Sequence, residues 1–213
     1  MIIKKESQTF NRNADRYDQW YDKYHWVYQS ELFAVERLLP RRANAVEIGV
    51  GTGRFAGPFS IQTGVDPSEN MLKLARSRNI NVVQGAAEEL PFCNESFNLV
   101  LMVSTTCFLK DIPKCFKEIY RVLRYRGEFV IGFVDKLSHL GRQYEREKDT
   151  SMFLKDANFY TPEELAELLM AASFNDLLFV QTLFRPLDEI NKMEPVKNGY
   201  GKGSFVVVRS VKF

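Results

Sequence analysis

Val46-Glu47-Ile48-Gly49-Val50-Gly51-Thr52-Gly53-Arg54 decides the fold. Val46 and Ile48, with Ala45 before them, read as a short buried strand that runs straight into three glycines at alternate positions. Such glycines let the backbone turn tightly and approach a ligand with no side chain between. In an open α/β sheet this place, the carboxyl end of the first strand, is where ligands bind. The glycines alone do not choose the ligand, because Gly51-x-Gly53-x-x-Ala56 also fits a loose dinucleotide fingerprint. Glu47 discriminates better. An unpaired acid within an apolar strand is costly, so a cationic or hydrogen-bonding partner is expected near the loop. A pyrophosphate would repel it, whereas a ligand carrying an ammonium group would welcome it. The plainer alternative is a carboxylate bonded only to neighbouring backbone amides.

Outward from this stretch, short apolar runs alternate with helical patterns. Strands are expected at 61–65, 80–83, 99–103 and 128–134, each continuously apolar as strands covered on both faces tend to be. Met71, Leu72 and Ala75 mark one intervening helix. Ile112, Cys115, Phe116, Ile119, Val122 and Leu123 form the stripe of another, with Gly127 placed to end it. Strands alternating with helices imply βαβ units and a parallel sheet. Residues 135–158 are polar and are expected to form an insertion over the sheet edge. Thr161, Pro162 and Glu164 then spell a capping box opening a helix that buries Leu165, Leu168, Leu169 and Ala172. Strands at 177–184 and 204–211, joined without a helix, predict a C-terminal antiparallel hairpin. Before the sheet, residues 1–43 are rich in aromatics and charge. Leu32, Val35, Leu38 and Leu39 there recur at helical spacing, and Pro40-Arg41-Arg42 stops the pattern. The chain therefore divides into an N-terminal helical cap, 1–43, and a main α/β domain, 44–213.

Composition bounds the function. With 213 residues, 45% hydrophobic and 26% charged, the chain is one globular domain or a domain plus a cap. Lys plus Arg less Asp plus Glu is 29 − 27 = +2, which lacks the charge excess of a dedicated nucleic-acid binder. No apolar stretch has the length of a signal peptide at the start or of a membrane span anywhere, so a cytoplasmic location is expected. Cys93, Cys107 and Cys115 match neither a disulfide framework nor a zinc spacing, and three mostly buried thiols with no metal site are expected.

Asp66 is the second chemical element. It stands in Gly64-Val65-Asp66-Pro67-Ser68 at the end of the second strand, where a carboxylate accepts both hydroxyls of a ribose. A turn residue before Pro67, or a helix N-cap, is the structural alternative.

Glu47-x-Gly49-x-Gly51-x-Gly53, Asp66-Pro67-Ser68-x-x-Met71, 84–92 (Gln-Gly-Ala-Ala-Glu-Glu-Leu-Pro-Phe) and Ser96-Phe97-Asn98-Leu99-Val100 together resemble the class I S-adenosylmethionine-dependent methyltransferases. The small-molecule type that includes quinone-biosynthesis enzymes is the most similar, and Phe159-Tyr160-Thr161-Pro162-Glu163-Glu164-Leu165 extends the likeness. The resemblance implies an α/β, Rossmann-like, seven-stranded, mostly parallel sheet with helices on both faces and the C-terminal antiparallel hairpin. It implies S-adenosylmethionine as cofactor, with Glu47, Gly49, Val50 and Gly51 around its methionine part and Asp66 with Pro67 at the ribose. Met71 would pack on the adenine, Ala86, Ala87 and Glu88 would line its edge, and Val103 and Ser104 would pass near the sulfonium. Ala86 departs from the acid frequent at that position, which leaves the adenine amino group to Glu88. Val50, Asn98 and Tyr125-Arg126 are further departures of structural kind.

Methyl transfer is an in-line displacement that needs alignment and exclusion of water more than a catalytic side chain, and none is identified. His25 and His139 are the only histidines, expected at exposed or packing positions. No nucleophile–histidine motif supports a hydrolase. The N-terminal segment, opening with Asp15-Arg16-Tyr17-Asp18-x-Trp20-Tyr21, resembles a lid, and Tyr17 and Tyr21 are the candidate contacts to a small-molecule acceptor. A fold kept for cofactor binding or regulation and a nicotinamide-dependent oxidoreductase are the competing readings.

Overall fold

In the computed structural model, residues 5–40 and 44–213 are described; Arg41 and Arg42 of the expected helix stop lie outside them. The strands are β1 (Ala45–Ile48), β2 (Thr63–Asp66), β3 (Asn81–Gln84), β4 (Phe97–Val103), β5 (Leu123–Val134), β6 (Phe174–Thr182), β7 (Lys197–Asn198) and β8 (Phe205–Lys212). They form one sheet in the order β3-β2-β1-β4-β5-β8-β6-β7. The first five pair in parallel, while β8 runs antiparallel between β5 and β6. The order reverses at β1, whose neighbours are β2 and β4, so the glycine loop after β1 opens onto the topological switch point.

Side-chain alternation sorts the sheet into two cores. Leu99, Leu101 and Val103 of β4 and Val207 of β8 join a core under the N-terminal helices, with Val27, Ala34, Leu72 and Ala75. Val100, Met102, Val206 and Val208 face the opposite core, with Ile112, Phe116, Ile119, Leu165 and Leu169. The helices that cover them are α1 (Lys5–Arg12), α2 (Ala14–Lys23), α3 (His25–Glu36), α4 (Glu69–Ser77), α5 (Ile112–Val122), α6 (His139–Glu147) and α7 (Pro162–Ala171). Helix α7 starts with the expected capping box, Thr161 and Glu164 each bonding the other's backbone amide.

Several expectations change. A two-residue strand, β7, pairs with β6 at the edge and makes eight strands of the expected seven. Strand β3 is also an edge, and its residues are largely exposed rather than covered on both faces. Gly127 does not end α5: the helix passes directly into extended backbone at Leu123, and Arg126 takes the left-handed conformation. Gly127 is needed for closeness instead, since a Cβ there would lie 2.8 Å from the Arg124 carbonyl oxygen. Helix α3 starts six residues before the stripe expected from Glu31 onward, and it buries Val27, Tyr28, Glu31, Ala34 and Val35. Leu38 and Leu39 follow its end. Residues 135–158 continue from the central strand β5, carry α6, and bury Leu140 in the first core and Ala157. Of the cysteines only Cys115 is buried; Cys107 is half-buried and Cys93 exposed.

Candidate active site

The loop after β1 is tied to the end of β2, because the amides of Gly49 and Val50 both donate to the Val65 carbonyl, at 2.8 and 3.0 Å. Gly49 has φ +72°, and a Cβ there would meet Thr105 Oγ1 at 2.3 Å, so only glycine fits between the two loops. Asp66 closes the other side. Its Oδ2 accepts from the Gly51 amide at 3.0 Å and its Oδ1 from the Ser68 amide at 2.8 Å. Burial pushes its carboxyl up to about 6, against the pull of those two backbone bonds. Each oxygen keeps a lone pair for a further donor. Ser68 also caps α4, its hydroxyl accepting from the Met71 amide.

These residues wall a cleft of about 140 Å³. Of the predicted cofactor set, Gly49, Gly51, Asp66, Pro67, Met71, Ala86, Ala87, Glu88 and Ser104 line it. Glu47, Val50 and Val103 do not. Alternation along β1 turns Glu47 to the face covered by the N-terminal helices. There it is 2% exposed, takes one hydrogen bond from the Ala56 amide, and leaves Oε2 without a partner. Burial raises its pKa well above the usual carboxylate range. Val50 is buried against Gly64, where a Cβ would lie 2.7 Å from the valine methyl. Val103 is buried in the first core.

A second, larger cavity of about 870 Å³ adjoins the cleft. Phe10, Tyr17, Ser104 and Phe108 line both and form the partition between them. The aromatic rings there are packed edge to face: Phe10 sits 5.6 Å from Tyr17 and 4.9 Å from Phe108. Both predicted acceptor contacts reach the larger cavity, Tyr17 at the partition and Tyr21 deeper in, with their hydroxyls 2.9 Å apart. Burial raises the pKa of both, so the pair is neutral at ordinary pH. Segment 143–154 supplies the outer wall, including Tyr144 and Phe153.

The N-terminal helices are held over the site by polar contacts. Asp18 accepts from Arg54 Nε at 2.9 Å and Nη2 at 2.6 Å and from Arg78 Nη2 at 2.8 Å, while Asp22 takes Arg54 Nη1 at 2.9 Å. Tyr28 donates to the Arg54 carbonyl. Asn11, after Phe10, bonds both the Ser68 hydroxyl and the Asn70 amide at the start of α4. His25 and His139 are exposed and line neither cavity. No cluster able to hold a metal ion occurs among the described residues, and no helix there is long and apolar enough to cross a membrane.

Sequence reasoning missed Phe10, Glu31, Thr105, Phe108 and the Arg54 clamp. Glu31 carried a usable signal, an acid three and four residues from the apolar positions of one helical face.

The comparisons agree with this geometry. Residues 46–131 match the model of a methyltransferase domain. A crystal structure from Thermotoga maritima, described as a "SAM-dependent methyltransferase, possible histamine N-methyltransferase", superposes with a TM-score of 0.95 at 47% identity, over 97% of this chain and 99% of that one. An uncharacterized protein of Methanocaldococcus jannaschii is 41% identical over 203 residues, 95% of this chain and 98% of its own length. A demethylmenaquinone methyltransferase of Listeria welshimeri is 28% identical over 143 residues, 59% of this chain and 60% of that protein. With a domain match that opens at the glycine loop and a nearly full-length structural relative, the chain belongs to the class I S-adenosylmethionine-dependent methyltransferases.

Proposed function

We propose that the protein transfers the methyl group of S-adenosylmethionine to a small-molecule acceptor, with the donor in the narrow cleft and the acceptor in the large cavity. The observation that carries this is the shared partition of Phe10, Tyr17, Ser104 and Phe108, which puts the two sites back to back. The cleft residues fit the cofactor. Asp66 has acceptor capacity left for ribose hydroxyls, Met71 offers a buried thioether to an aromatic ring, and Glu88 borders the same wall as Ala86 and Ala87. Glu47, buried behind the loop with its pKa raised, makes no direct contact with the cleft.

Bound there, the cofactor supplies an electrophilic methyl on a sulfonium. The protein's own part is alignment and dryness. The glycine backbone and Asp66 fix the donor, and the ring cluster at the partition excludes water from the line of attack. Proximity of this kind is worth up to about 7–11 kcal/mol of barrier, which is why no histidine or other base at the partition is required. The Thermotoga relative is described as a possible histamine N-methyltransferase, which supports an acceptor of the size this cavity holds.

The test has two steps. A co-crystal with S-adenosylhomocysteine should show the nucleoside between Gly51, Asp66 and Met71, and methyl-labelled donor should then turn over with some member of a panel of small amines, phenols and quinols. Ligand density elsewhere, or none, would overturn the reading.

A further inference from the structure

Among the described residues Glu31 is an acid without a partner, in a cavity rich in aromatic rings that Glu147, bonded to Gln143, also lines. It sits on the buried face of α3, 5% exposed, and lines the large cavity but not the cleft. Among the described residues no hydrogen bond or ion pair reaches its carboxylate. Arg16 and Lys23 line the same cavity without pairing with it. Burial alone raises its pKa, to about 8. Tyr17, Tyr21 and Tyr144 lie within electrostatic reach of it and line the same cavity, as do the rings of Trp20 and Tyr24.

A buried carboxyl without a partner is costly, and its charge acts strongly where water is excluded. Ring faces likewise attract cations. From this arrangement we infer that Glu31 and the surrounding rings form a subsite for a protonated amine on the acceptor. A phenol or quinone offers the acid a hydrogen bond but no charge, whereas a protonated amine pairs with its ionised form and draws its proton off. The position of the subsite adds a chemical constraint. A protonated amine has no lone pair, and Glu31 is not part of the partition through which the methyl group passes. The acceptor is therefore bifunctional: an ammonium anchored at Glu31 and a separate nucleophile directed to Ser104 and Tyr17. This rests on the proposed transfer only for the second half; the cation subsite stands by itself.

The experiment is calorimetric binding, in the presence of S-adenosylhomocysteine, of a series of phenyl- and imidazolyl-ethylamines against the corresponding alcohols. At least one amine should bind tenfold or more tightly than its alcohol, and Glu31→Gln should abolish that preference while S-adenosylhomocysteine still binds. Equal affinity of every amine and its alcohol, or a preference that survives E31Q, overturns the subsite. Should E31Q fold poorly, the wild-type comparison decides alone, because the paired probes differ in charge and hardly in shape. If the wild-type protein binds amines selectively but not S-adenosylhomocysteine, the transfer reading fails and the subsite remains.

Discussion

Asp66 shows how one residue serves the loop and, in the proposed function, the ligand as well. Its two oxygens each hold a backbone amide, Gly51 on one side and Ser68 on the other, and burial raises its carboxyl from 3.8 to about 6. A raised folded-state pKa means the folded chain binds the proton more tightly than the unfolded one. This acid's contribution to the stability of the unliganded protein is thus fully present below about pH 4 and lost as pH rises through about 6. Ligand binding has the opposite sign, since ribose hydroxyls donate best to the ionised form. S-adenosylhomocysteine affinity should fall about tenfold between pH 7 and pH 5, and Asp66→Asn should flatten that profile as well as weaken binding. Calorimetric titration across this range checks both. Asp66 and Gly49 were legible in the sequence because apolar patterning marks the strands they end or follow, although their partners Gly51 and Thr105 stand 15 and 56 residues off. Glu31 was not, because its surroundings come from α2, α6 and the 143–154 segment.

Helix α2 is placed by charge as much as by packing. Asp18 joins it to Arg54 of the glycine loop and to Arg78 after α4. Burial works against the ionised form, but the hydrogen bonds, first from Arg54, outweigh it and lower the carboxyl to about 2. With the folded pKa depressed, the stabilisation is present above about pH 4 and fades as pH falls toward 2. Asp18→Ala should cost roughly 2 kcal/mol, the scale of charge-assisted bonds lost at a half-buried site, measurable by urea titration. Hydrogen exchange should quicken in α2 and leave β1 and β4 unchanged, because the sheet keeps its own core. The acid-rich, aromatic sequence of this helix announced an amphipathic element; which arginines it grips depends on a loop more than thirty residues away.

At the scale of the whole molecule, the cleft proposed to take the donor is walled by distant segments: a loop after β1, a carboxylate ending β2, the tip of β4 and helix α1. A ligand that binds only the folded state raises its stability by mass action. S-adenosylhomocysteine at 100 times its dissociation constant adds about 2.7 kcal/mol, which for a chain of this size raises Tm by roughly 5–10 °C. NAD should produce no shift, since the proposed donor is S-adenosylmethionine and not a dinucleotide. Differential scanning fluorimetry with the two ligands separates them.

The alternation of apolar strands and helices, the glycine loop, the capping box at Thr161 and the acid at the end of β2 were all set by the sequence, because each depends on spacing along the chain. The insertion of β8 between β5 and β6, the edge position of β3 and the added β7 are pairings between distant segments, and no local pattern encodes them. The same holds for the site. Sequence supplied the cleft's glycines and Asp66, whereas the partition of Phe10, Tyr17, Ser104 and Phe108 and the solitary Glu31 exist only once the N-terminal helices and the segment after β5 close over the carboxyl ends of the strands. Contacts between residues far apart in the chain are decided by how the layers pack, and those contacts make the larger cavity.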